Sequence, residues 1–143
     1  MRAEERIGHT IPPAYRAFLL AHNGGRVEPD GFPIYDEKGN LTNESVVDWF
    51  FGIGTGAYYN SLEDKLDTYH HRIPCDLFPI ASDRGGNVVC ISTSAANRGA
   101  VYFWQHEFEV DEPTYDNVFF VADNFDQFLK GLIDYGEGIA RTS

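Results

Sequence analysis

The chain has 143 residues, 43% of them hydrophobic and 15% aromatic, enough for a packed core and too apolar for a disordered segment. Its 22 acidic residues outnumber 11 basic ones, for a net charge of −11. That balance repels nucleic-acid phosphates and anionic lipid head groups and attracts basic proteins. No apolar run approaches the ~20 residues that span a bilayer, and the polar start MRAEERIGHT lacks a signal peptide's apolar region. The expected setting is therefore the cytoplasm, with Cys75 and Cys90 expected as buried, unbridged residues.

The first well-marked element is a helix beginning near Pro12, where proline's missing N–H costs nothing. Ile11, Tyr15, Phe18, Leu19 and His22 trace one face, and Asn23-Gly24-Gly25 supplies a left-handed stop. A short helix over residues 2–7 is expected to precede it. Gly31–Asp36 and Glu44–Phe51 read as strands around the turn DEKGN. Gly52, Gly54 and Gly56 then break the chain into a loop. Ser61 caps a second helix with Leu62, Leu66 and Tyr69 on one face, closed by Pro74. Leu77–Ala81, Asn87–Ser92 and Ala100–Gln105 follow as an antiparallel meander, and Val118–Val121 adds a further strand. Asp123 is expected to cap a last helix with the stripe Phe125, Phe128, Leu129, Leu132 and Ile133. This order predicts the α+β class: a single domain over 1–143, with a twisted, mostly antiparallel sheet flanked by N- and C-terminal helices.

Patterns that would carry chemistry are sparse. The run GIGTG lacks the spacing of a nucleotide-binding loop. Asp83-Arg84-Gly85-Gly86-Asn87 offers too few ligands for a cation and reads as a turn. The five histidines form neither HExxH nor a zinc pattern, so no metal and no cofactor is expected. The best acid–base constellation, and the basis of a hydrolase reading, is His106 with Asp83 or Glu107.

Charge and aromatic residues say more. Residues 1–26 hold four arginines against two glutamates, whereas no Lys or Arg falls between Gly99 and Leu129. That stretch carries Glu107, Glu109, Asp111, Glu112, Asp116, Asp123 and Asp126. Trp49-Phe50-Phe51 alternates faces, so at least one ring is expected outward. Tyr58 and Tyr59, in a Gly-rich loop beside Glu63 and Asp64, suit a protein interface.

Five segments in order, IPPAYRAFLLAHNGG, VVDWFFGI, LFPIASDRGGNVVCIS, GAVYFWQHE and VADNFDQFLKGL, together resemble the SUKH superfamily over Glu4 to Leu132. That group includes the Smi/Knr cell-wall-assembly regulators and many bacterial immunity proteins. The resemblance implies an α+β fold without catalytic activity, and it supplies neither a catalytic set nor a fixed list of contact residues. It also implies a partner, since bacterial members commonly neutralise a toxin, often a nuclease, encoded beside them. On that footing the expected contacts with a basic toxin are Glu107, Glu109, Asp111, Glu112 and Asp116, with Tyr58, Tyr59, Glu63 and Asp64 as a second patch. The alternative is a regulatory module that recognises a cellular protein or peptide.

Overall fold

The computed structural model describes residues 10–135; the short helix expected over residues 2–7 lies outside the described residues. Seven strands form one antiparallel sheet: β1 (Gly31–Tyr35), β2 (Leu41–Val46), β3 (Trp49–Phe50), β4 (Leu77–Ser82), β5 (Val88–Ser92), β6 (Val101–Trp104) and β7 (Val118–Ala122). Their spatial order is β2-β1-β7-β6-β5-β4-β3. The helices are α1 (Pro13–His22), α2 (Leu62–Tyr69) and α3 (Phe125–Lys130). This is the α+β arrangement expected from the sequence, including the β4–β5–β6 meander.

One expected strand is two. The segment Glu44–Phe51 divides at Val47-Asp48, and its halves lie at opposite edges of the sheet. Six strand spacings would place those edges roughly 29 Å apart in a flat sheet. Three peptide steps from Val46 to Trp49 reach at most about 11 Å. The sheet therefore curls until its edges approach. The link is held on both sides: the Val47 N–H donates to the Asp30 carbonyl at 2.9 Å and the Asp48 N–H to the Ser82 carbonyl at 2.7 Å. The Ser45 hydroxyl on β2 reaches the Asp83 carboxylate beyond β4 at 2.9 Å.

Residues directly opposite in antiparallel pairs share a face. Trp49, Ser82, Val88, Trp104 and Val118 form one row across β3 to β7. Phe50, Ala81, Val89, Phe103 and Phe119 form the adjacent row on the other face. Helices α1 and α3 cover the Phe50 face, where that ring lies 4.9 Å from Phe18 and 6.0 Å from Phe125. Helix α2 covers the Trp104 face through Tyr69, edge-on at 5.6 Å. Tyr15 is fully buried on α1, and its hydroxyl meets the carbonyls of Phe51 and Ile80, fixing the helix across β3 and β4.

Four local expectations are corrected. His22 is exposed, touching only the edge of the apolar face through Phe18, because α1 ends there. Asn124, not Asp123, caps α3 by accepting from the Gln127 N–H. That helix stops at Lys130, so Leu132 and Ile133 lie beyond it, and Ile133 exchanges both backbone bonds with Gly31 at 2.8 Å. Both cysteines are free; Cys90 is buried on β5, but Cys75 is exposed because it sits in the turn between Pro74 and β4. Among the described residues, no helix is long and apolar enough to cross a membrane.

Candidate functional site

The site is built from the end of α1. Asn23 takes the left-handed conformation (φ 45°, ψ 47°), and the next residues run back along β3. Gly25 and Phe50 exchange both backbone hydrogen bonds, at 3.0 and 2.7 Å. The Asn23 side-chain amide does the same with the Ile53 backbone, at 2.9 Å each way. This latch places Arg26 over Trp49, its guanidinium 4.6 Å from the ring. The same guanidinium donates to the Asp48 carboxylate at 2.8 Å and to its carbonyl at 3.2 Å. Of the three consecutive aromatics, Trp49 faces outward and is half-buried, while Phe50 and Phe51 are fully buried.

Trp49 and Ser82 end their row at a cleft of about 620 Å³, which Asp48, Tyr58, Tyr59, Lys65, Tyr69, Asp83, Arg84 and Gly86 also line. Gly54 and Gly56, both at positive φ, turn the preceding loop into a single 3-10 turn over Tyr58–Asn60. That turn presents the two tyrosines, exposed by 76% and 47%. Tyr59 lies 5.2 Å from the Trp49 ring, and the Lys65 ammonium sits 5.4 Å from the Tyr58 ring. Burial pulls the Lys65 pKa down, outweighing the opposing charge of Asp64. Asp83 is saturated: its carboxylate accepts from the N–H groups of Gly85 and Asn87, the Asn87 amide and the Ser45 hydroxyl. Glu63 does not line the cleft; it accepts from the Gly54 N–H at 3.1 Å and braces the loop against α2. Asp64 is exposed in the first turn of α2, where a carboxylate favours the helix dipole.

The acidic segment is the loop between β6 and β7, closed at its base by two Gln105–Asn117 hydrogen bonds of 2.9 and 3.0 Å. It starts with a 3-10 turn over His106–Phe108. Arg72, just beyond α2, donates twice to Glu109 at 2.9 and 3.0 Å. The Tyr115 hydroxyl donates to the Asp76 carboxylate. Asp111, Glu112 and Asp116 are exposed, as is Glu107, which accepts from the Gln105 amide at 2.7 Å. Between these acids stand Phe108, Val110 and Tyr115, exposed by 61%, 59% and 53%.

The two expected patches adjoin each other. The His106 ring bonds the Gly85 carbonyl at 2.7 Å, and its backbone N–H donates to the Asn87 amide oxygen at 2.9 Å. The acidic loop is thereby fastened to the β4–β5 turn that lines the cleft. Tyr69, also in the cleft, lies 5.0 Å beneath the Arg72 guanidinium that holds Glu109. The same contacts occupy both members of the His106–Asp83 pair considered for a hydrolase, since the His106 ring is bound to the Gly85 carbonyl and the Asp83 carboxylate to its own turn and Ser45. Among the described residues, no three His, Cys, Asp or Glu side chains are placed to hold a metal ion.

The Arg72–Glu109 pair has a pH signature. The Arg72 hydrogen bonds hold the Glu109 carboxyl below its ordinary range. A depressed folded pKa stabilises the fold above the unfolded value of about 4.3, and that contribution is lost as pH falls through the folded value. Both side chains are partly exposed, at 41% and 24%, so the gain is under ~1 kcal/mol. Glu109→Gln is expected to lower the melting temperature slightly at neutral pH. The difference from wild type should close below about pH 4 in thermal melts.

Sequence reasoning found Tyr58, Tyr59 and Trp49 but not their companions Arg26, Asp48, Lys65 and Arg84, which come from four separate segments. It found the acids of the 105–117 loop but passed over Phe108, Val110 and Tyr115, whose lack of periodicity was the available signal.

Among curated proteins, the chain is 31% identical over 144 residues to the SPbeta prophage-derived uncharacterized protein YokK of Bacillus subtilis (strain 168), covering 92% of this chain and 71% of that protein. No solved structure matches it. The SMI1 / KNR4 family (SUKH-1) model matches residues 1–131, and the chain belongs to that family.

Proposed function

We propose that this chain is a non-catalytic immunity protein that binds a cognate toxin domain in the cytoplasm and neutralises it. Family membership supports a function of the immunity-protein or SMI1/KNR4 type. The observation that carries the finer reading is the 105–117 loop, where three large apolar side chains stand exposed among carboxylates. Isolated exposed apolar residues are ordinary, but a cluster rimmed by one sign of charge marks an interface. Carboxylates steer a basic partner toward the loop, and desolvation of Phe108, Val110 and Tyr115 then slows its departure. A basic nuclease fits this surface, because its substrate cleft carries the charge that the loop complements.

The test is co-expression with the product of the adjacent gene, followed by co-purification and assay of that product's toxicity. A complex of the two proteins, with the toxic activity suppressed, is expected. A neighbouring product that neither binds nor loses activity, with a different cellular protein retained instead, would replace this reading with that of a regulatory module.

A further inference from the structure

The cleft departs from the acidic surplus of the chain: its lining sets Lys65 and Arg84 against Asp48 and Asp83. Asp48 is paired with Arg26, and the Asp83 carboxylate, although it keeps its charge, has its oxygens occupied by four hydrogen bonds from its own turn and Ser45. Glu63, on the α2 side, is bonded to the loop backbone, and Asp64, exposed beside Lys65 on α2, acts on that ammonium through its charge without forming an ion pair. The two remaining charged side chains, Lys65 and Arg84, make no ion pair among the described residues. Lys65 is partly desolvated against the Phe51 and Tyr58 rings, at 5.7 and 5.4 Å, without a carboxylate in ion-pairing contact. Tyr58, Tyr59 and Ser82, which also line the cleft, carry hydroxyl donors. An open, aromatic-walled cleft with two cations outside any ion pair among the described residues, and with its carboxylate oxygens already bonded, is complementary to an anion on an apolar stem.

We infer that this cleft receives an Asp or Glu side chain of the protein partner, its stem against Tyr58 and Tyr59 and its carboxylate between Lys65 and Arg84. The assignment rests on the protein-partner reading above and adds orientation to it. An acidic loop alone accepts any basic surface in many poses. A pocket next to that loop with two cations outside any ion pair among the described residues demands one negative residue at a set distance from the partner's basic patch, and so fixes register and rejects uniformly basic proteins.

The full chain, labelled with ¹⁵N, is to be titrated separately with short blocked oligoglutamate, oligolysine and oligoglutamine peptides and followed by amide chemical shifts and tryptophan fluorescence. Oligoglutamate is expected to shift the amides of Trp49, Tyr58, Tyr59 and Gly86 and to change Trp49 emission, despite the net charge of −11. Oligolysine is expected to shift the 107–116 amides instead. In the Lys65→Gln/Arg84→Gln variant the oligoglutamate response should vanish while the oligolysine response persists, which also shows that the variant is folded. Three results would overturn the assignment: no cleft shifts with oligoglutamate, cleft shifts with oligolysine or oligoglutamine, or an oligoglutamate response that survives in the variant. Cleft shifts that appear on concentrating the chain alone would assign the pocket to a second copy of it and overturn the proposal equally. Failure at the acidic loop is read separately, by oligolysine, so the two readings fall independently.

Discussion

Gly24→Ala is expected to cost about 3–5 kcal/mol, enough to lower the urea midpoint by roughly 2 M. Gly24 lies at φ +86°, and a Cβ there would stand 2.7 Å from the Phe50 carbonyl oxygen, 2.8 Å from the Gly52 nitrogen and 2.9 Å from the Phe51 carbonyl carbon. All three are backbone atoms, so no rotamer change relieves the clash. Either β3 separates from the end of α1 or the left-handed turn opens. Gly25 provides the control. It too has positive φ, at +104°, but a Cβ there meets nothing within 4 Å. Gly25→Ala should therefore cost only the backbone strain, about 1–2 kcal/mol. Urea melts of the two variants separate close packing from backbone strain. Equal, small losses would mean that α1 shifts off β3 freely. The larger loss carries a functional consequence, because the latch aims Arg26 at Asp48 and Trp49.

These glycines show why parts of the fold were legible. Asn23-Gly24-Gly25 and Asp83-Arg84-Gly85-Gly86-Asn87 are written in turn chemistry, in which a few adjacent residues decide the conformation. The meander was legible for the same reason, each strand pairing with its neighbour in sequence. The break at Val47-Asp48 was not. No glycine or proline marks it, and a single strand-disfavouring residue, Asp48, stands between the β-favouring pairs Val46-Val47 and Trp49-Phe50. What ends β2 is the demand of a distant strand, since Asp48 bonds Ser82 and Trp49 pairs with it. Insertion of β7 between β1 and β6 was hidden likewise, as pairing between remote strands leaves no local mark. The cleft inherits that limit. Its tyrosines announced themselves by sitting in a Gly-rich loop, but Lys65 and Arg84 become its cations only once α2 and the β4–β5 turn converge.

Reversing the charge of Glu107, Asp111 and Glu112 together to Lys is expected to slow association with a basic toxin domain by roughly 10- to 1,000-fold and to flatten its salt dependence. The dissociation rate should change much less, because steering charges act on encounter. Glu109 is left out deliberately. It is bound bidentately by Arg72, so a lysine there would set two cations together, loosen the loop from α2 and confound steering with folding. Phe108→Ala is the complementary variant. If the exposed ring is a central anchor, its loss costs ~2 kcal/mol and appears as about a 30-fold faster dissociation, with the association rate nearly preserved. Stopped-flow or surface-binding kinetics at several salt concentrations resolve the pair. A triple variant with unchanged association rate and salt slope would remove the acids from the encounter. A Phe108 variant with unchanged dissociation would remove the loop from the contact altogether. A loop that both steers and anchors must answer to both substitutions, each in its own rate constant.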